Sequence, residues 1–138
     1  MKELEVISKT GKINNTAEKI FYFFSDFRNI AKLIPPEAEA KVENWHAEKD
    51  WCSFSIKGQN IQLNIIEREE FKTIKITGDD NSPYIFNFWI QLVQLSAYET
   101  AVRIVVRVKL SLFMRKAVKK PLQNGLDQII DYMKVIPY

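Results

Sequence analysis

The sequence predicts an α+β fold. A curved antiparallel sheet of about seven strands wraps around a long C-terminal helix, with two short helices after the first strand. Three observations predict it. Residues 41–110 fall into successive runs that alternate apolar and polar, with short turn signals between them. From Met114 onward the apolar period becomes that of a helix. Residues 14–34 carry an N-cap signal, helically spaced apolar residues and a Pro35-Pro36 stop. The chain has 138 residues, which makes residues 1–138 one domain. Only four residues are Gly and five Pro, so most of the chain is expected in regular elements. Seventeen rings (nine Phe, five Tyr, three Trp) must find places in or around one small core.

Residues 3–13 alternate weakly and predict the first strand, ending at Ile13. Asn15 followed by Glu18 resembles a capping box, so Asn15 is the expected cap of the first helix. Ala17, Ile20, Phe21, Phe24 and Phe27 follow at helical spacing, and Ser25-Asp26 ends the helix or caps the next. A second short helix, Arg28 to Leu33, ends at Ile34 because the residue before a proline is biased away from helix.

Strand patterns follow at 41–45, 51–56, 61–65, 74–76, 84–94 and 97–110. Cys52, Phe54 and Ile56 share one face. So do Phe86, Phe88, Ile90 and Leu92, and so do Val102, Ile104, Val106 and Val108, because residues two apart on a strand point the same way. Turns are expected at Gly58-Gln59 and from Gly78 to Pro83. Met114, Val118, Leu122, Leu126, Ile129 and Met133 then form the apolar stripe of a helix of about five turns. Pro121 predicts a kink or break near residue 120. Gly125 is expected to let the helix approach the sheet.

The charge is unevenly placed. The net charge is +3, yet residues 103–120 hold seven basic residues and no acid, while residues 1–102 hold twelve bases and fifteen acids. Arg107, Lys109, Arg115, Lys116, Lys119 and Lys120 form a candidate basic surface, suited to an anionic membrane. The competing reading is a solvated strand face and helix turn. Nucleic acid is disfavoured, because Phe113 is the only aromatic residue among those bases. One cysteine, Cys52, excludes an internal disulfide. No apolar run reaches the roughly 20 residues of a membrane span, and Met1–Glu5 lacks a signal-peptide core, so a cytoplasmic location is expected. There is no Gly-rich phosphate loop. No metal site of the usual nitrogen and sulfur ligands is expected from one His and one Cys, and no cofactor is predicted.

The order of elements resembles the helix-grip fold of the START/Bet v1-like (SRPBCC) superfamily, and within it the polyketide cyclase/dehydrase-like proteins. Thr16 to Phe21 through Ser25-Asp26 is similar to that family's opening helix. Ile34-Pro35 is similar to the end of its second helix. Phe86-Asn87-Phe88-Trp89 and Glu99-Thr100-Ala101-Val102 resemble its last hairpin, and the segment after Leu112-Phe113-Met114 resembles its final helix. The resemblance spans the whole chain and contains no catalytic signature. It implies a cavity between sheet and final helix. The candidate lining residues are Phe54, Ile56, Leu63, Ile65 and Ile74 from the earlier strands. Phe86, Phe88, Ile90 and Val106 come from the last two strands, and Leu126, Ile129, Ile130 and Met133 from the helix. Solid filling of the same space by these side chains is the alternative.

His46 is the one weak catalytic candidate, being the only side chain that titrates near neutrality without perturbation. It reaches a cavity only if it shares a face with Val42 and Asn44; a surface turn is the default. Glu67, Glu69 and Glu70 around Arg68 read as a solvated turn. Cys52 reads as a buried, inert thiol. The leading functional reading is binding or transport of a small hydrophobic ligand such as a lipid, fatty acid or polyketide-like molecule. The alternatives are a cyclase/dehydratase-type enzyme with an acid/base in the cavity and a protein–protein interaction module. Oligomeric state is not legible in the sequence.

Overall fold

β1 (Lys2–Ile7) and β2 (Gly11–Ile13) both pair antiparallel with the last strand, β8 (Glu99–Leu110). The single strand expected over residues 3–13 is therefore two. Ser8 makes the break. Its amide donates to the Ile104 carbonyl at 2.9 Å, and its hydroxyl oxygen accepts from the Ile104 amide at 2.8 Å. The hydroxyl donates in turn to the Lys9 carbonyl at 2.8 Å. A buried serine whose amide and hydroxyl are both hydrogen-bonded holds the chain while it changes course. The computed structural model describes residues 2–30, 41–79 and 84–138. The expected helix end at Ile34-Pro35 and most of the Gly78–Pro83 turn lie outside the described residues.

Thr16, not Asn15, caps α1 (Ala17–Phe24). Its backbone is extended, and its Oγ1 accepts from the Lys19 amide at 3.3 Å. Asn15 instead accepts from the Thr16 amide at 2.8 Å, one residue too early to cap. Ala17, Ile20, Phe21 and Phe24 form the buried stripe of α1. α2 (Phe27–Ile30) adds Phe27, which is fully buried.

Six strands follow in sequence: β3 (Glu43–Ala47), β4 (Trp51–Ile56), β5 (Gln59–Glu69), β6 (Thr73–Gly78), β7 (Phe86–Ser96) and β8. They form an antiparallel meander, and the sheet order is β1-β8-β7-β6-β5-β4-β3 with β2 also on β8. β5 is longer than its pattern suggests. A register shift between Ile65 and Glu67 breaks the alternation, so Glu67 to Glu69 belong to the strand rather than to a turn. Arg68 uses this extension. Its Nη2 donates to Asp50 Oδ1 at 2.6 Å and to the Ser25 carbonyl at 2.7 Å, tying β5 to the end of α1.

Ser111 caps α3 (Leu112–Met133), accepting from the Met114 amide at 3.3 Å. The helix continues through Pro121, so the expected break does not occur. Tertiary contacts outweigh the local penalty of the proline. Downstream of it, Gln123 Nε2 donates to the Ile7 carbonyl at 2.8 Å and Asp127 Oδ1 accepts from the Lys9 amide at 2.7 Å. Lys9 Nζ also meets Asp131 at 2.7 Å. α3 packs chiefly on β1, β8 and β2. The close approach is at Gly11, where an added Cβ would lie 2.5 Å from Ile130 Cγ2. Gly125, expected to serve that purpose, would meet nothing within 4 Å.

Candidate functional site

Seating one flank of α3 against β1, β2 and β8 leaves space between its other flank and the concave face. That space is a cavity of about 900 Å³. The sheet supplies Cys52, Phe54 and Ile56 from β4, Leu63 from β5 and Ile76 from β6. Phe86, Phe88 and Ile90 come from β7, and Ile104, Val106, Val108 and Leu110 from β8. Alternation puts each set on one face. All six residues of the apolar stripe of α3 lie on the opposite wall, with Pro121, Gly125, Gln128 and Tyr132 along its flank. Phe24, Phe27 and Ile30 line one end. The rings lie beside one another instead of plugging the space. Phe86 and Phe88 stack with centroids 6.5 Å apart, and Trp45 and Phe54 stack at 5.7 Å.

Ten of the thirteen candidate lining residues are on this wall: Phe54, Ile56, Leu63, Phe86, Phe88, Ile90, Val106, Leu126, Ile129 and Met133. Three are buried without lining it. Ile130 is turned toward Gly11 and seats the helix. Ile65 and Ile74 lie one step further along their strands, toward the end that α1 covers. That end is marked by Arg68, opposite Ile74 and bonded to Ser25, and by Phe71 against Phe21 with centroids 5.7 Å apart.

His46 lies outside the cavity. Asn44 has φ +57°, and the β3–β4 register shifts between Glu43 and His46. The extra residue inverts the phase, so Val42 and Trp45 line the cavity and His46 is exposed, 3.0 Å from Glu48. Glu67, Glu69 and Glu70 are exposed as well. Among the described residues, no Asp, Glu, His, Lys or Arg lines the cavity. The described lining residues that carry polar side-chain groups are Tyr84, Tyr132, Gln128, Trp45 and Cys52. Sequence reasoning missed Gln128 and Tyr132 because it followed the apolar stripe. The run Pro121, Gly125, Gln128 and Tyr132, which steps by four, three and four, was the available signal.

Burial pushes the Cys52 thiol up to about 12, against an ordinary value of 9.0. The thiolate population at mildly alkaline pH is then about a thousandfold below that of an open cysteine, and the thiolate is the nucleophile. Iodoacetamide is expected to label Cys52 in the folded protein orders of magnitude more slowly than in urea, read by mass spectrometry. The sign for stability follows. The folded state holds the proton more tightly, so this group's contribution falls as pH rises from about 9 toward 12.

The candidate basic surface divides in two. Arg107 is held on the outer sheet face by Glu5 at 2.6 Å, close to Glu3 at 3.9 Å, with its guanidinium over the Trp89 ring. Lys109 stands opposite Glu3 across the β1–β8 ladder. Arg115, Lys116, Lys119 and Lys120 lie in the first half of α3, and none of them forms an ion pair among the described residues. No described helix is long and apolar enough to cross a membrane.

No family model matches the chain, and no curated protein matches it by sequence. Solved structures do. XoxI of Bacillus cereus aligns over 97% of this chain and 94% of its own at 8% identity, with a TM-score of 0.69. Norcoclaurine synthase of Thalictrum flavum, in complex with dopamine and hydroxybenzaldehyde, aligns over 96% of this chain and 85% of its own. Its identity is 13% and its TM-score 0.72. The di-domain ARO/CYC protein BexL aligns over 97% of this chain and 45% of its own at 12% identity, with a TM-score of 0.70. The chain has the Bet v1-like fold. At these identities the likeness to the Bet v1-like structures concerns architecture alone, and function must be argued from the cavity.

Proposed function

We propose that the chain binds a small hydrophobic molecule, such as a lipid, fatty acid or polyketide-like compound, in the cavity under α3. One observation carries this reading: a space of about 900 Å³ walled by apolar and aromatic side chains, with few polar groups and no charge among its described residues. Ligand pockets typically span roughly 300–1,000 Å³ and share this composition. Empty apolar space of that size is costly in a close-packed protein, and a hydrophobic occupant regains the lost contacts. The ten candidate residues on the wall, together with Gln128 and Tyr132, are the proposed contacts. The two hydroxyls and the amide would orient the ligand's polar end. A cyclase-type reaction needs an acid or base within reach of the substrate. The described wall offers only tyrosine hydroxyls and a thiol held protonated, so binding is favoured over catalysis.

Titration with a fluorescent fatty acid tests the reading. Saturable, one-to-one enhancement with micromolar or tighter affinity is expected, reversed by unlabelled hydrophobic competitors. No saturable binding of any apolar probe would contradict it.

A further inference from the structure

The tip of α3 breaks two rules at once. Leu112 and Phe113 open the helix and are 60% and 78% exposed. The first turn contains no acidic residue, and Lys116, Lys119 and Lys120 follow on the side away from the cavity face. The amide end of a helix carries partial positive charge and favours acids in its first turn; that turn instead ends on the basic Arg115, and the lysines extend the basic run beyond it. Sequences keep such local conflicts where function requires them. Ile85, 62% exposed, adds to the apolar tip, because its carbonyl accepts from the Lys109 amide at 3.0 Å. Exposed apolar residues followed by lysines that form no ion pair among the described residues are the chemistry of a surface that meets anionic headgroups and acyl chains together.

The tip also adjoins one end of the cavity. Phe113 directly precedes Met114, Ile85 directly follows Tyr84, and Leu110 ends β8; Met114, Tyr84 and Leu110 all line the cavity. We propose that this end of the molecule docks on an anionic phospholipid bilayer. Leu112 and Phe113 enter the headgroup region, Lys116, Lys119 and Lys120 pair with lipid phosphates, and the cavity's end faces the membrane. The use of docking for ligand exchange rests on the hydrophobic-ligand reading, whereas docking itself is measured separately. A nucleic-acid backbone would also attract the lysines but has no use for two exposed apolar residues.

The test is co-sedimentation with vesicles of phosphatidylcholine alone or with added phosphatidylglycerol. Binding is expected only with the anionic lipid, and it should weaken at high salt. K116E/K119E/K120E should lose at least about a hundredfold in vesicle affinity, since each lysine is worth about fivefold near such a surface. L112S/F113S should lose about tenfold or more. Both variants should keep the wild-type melting temperature and bind the fluorescent fatty acid in vesicle-free solution. A wild type that ignores anionic vesicles overturns the proposal. So does an L112S/F113S variant that binds them as well as wild type, or binding to a DNA duplex without binding to vesicles. Vesicle binding by a protein that takes up no fatty acid would uphold docking and remove the ligand reading.

Discussion

Gly125→Phe is expected to weaken a cavity-filling ligand by at least about tenfold and to shift preference toward shorter molecules. Gly125 lies midway along α3 on the cavity wall, and a Cβ there meets no atom within 4 Å. A phenyl ring therefore enters the cavity without disturbing the helix seat, which is on the opposite flank at Ile130. Each buried methylene contributes about 0.8 kcal/mol, so displacing the contacts of two methylenes already exceeds the 1.4 kcal/mol of a tenfold change. Folding should not suffer. Replacing a mid-helix glycine by a better helix former gains a few tenths of a kcal/mol to about 1 kcal/mol, and the new ring is itself partly buried. Gly125→Ala is the control, expected to stabilise by about 0.5–1 kcal/mol with binding retained. Titration with the fluorescent fatty acid and its chain-length series reads both variants. Unchanged affinity and unchanged length preference in Gly125→Phe would place the ligand away from the middle of α3.

Ile130→Ala is expected to destabilise the fold by about 3 kcal/mol, within the 2–5 kcal/mol range of large-to-small core changes. Its side chain is wholly buried and is the contact that seats α3 against β2. Gly11→Ala should cost about 1–3 kcal/mol by overpacking, because its Cβ would lie 2.5 Å from Ile130 Cγ2. The two should not add. In the Ile130→Ala background the obstructing methyl is gone, and the cost of Gly11→Ala should fall by about 1 kcal/mol or more. Urea unfolding of the four proteins closes the cycle. Strict additivity would mean that α3 is not positioned by this contact, and with it would go the explanation of why the cavity stays open over β3–β7.

The α+β architecture was legible because its signals are periodic. The alternation through Cys52, Phe54 and Ile56, and through Phe86, Phe88 and Ile90, survives intact in β4 and β7. The four-four-four-three-four stepping of α3 places all six stripe residues on the cavity. Misreadings occurred where one residue changes the phase. A buried serine divides β1 from β2, and a shift after Ile65 carries β5 through Glu69; the positive φ at Asn44 turns Trp45 inward and leaves His46 exposed, which is the default reading of that histidine. None of these leaves a periodic trace. The unbroken run of α3 through Pro121 and the open space at Gly125 were not legible for a different reason. Their outcome depends on partners more than a hundred residues away, Ile7, Lys9 and Gly11, which only the folded chain brings to α3. The polar groups of the cavity were obscured because Gln128 and Tyr132 sit beside the apolar stripe and not on it.

The central claim is that the space beneath α3 holds a hydrophobic guest. Native mass spectrometry of protein purified from expressing cells without delipidation tests it most directly. The account predicts a folded species heavier than the chain by the mass of a fatty acid, lipid or comparable apolar molecule. That mass should disappear on denaturation and shift toward smaller guests in Gly125→Phe. A folded protein that carries only its own mass, and that stays so after incubation with a total lipid extract, would contradict it.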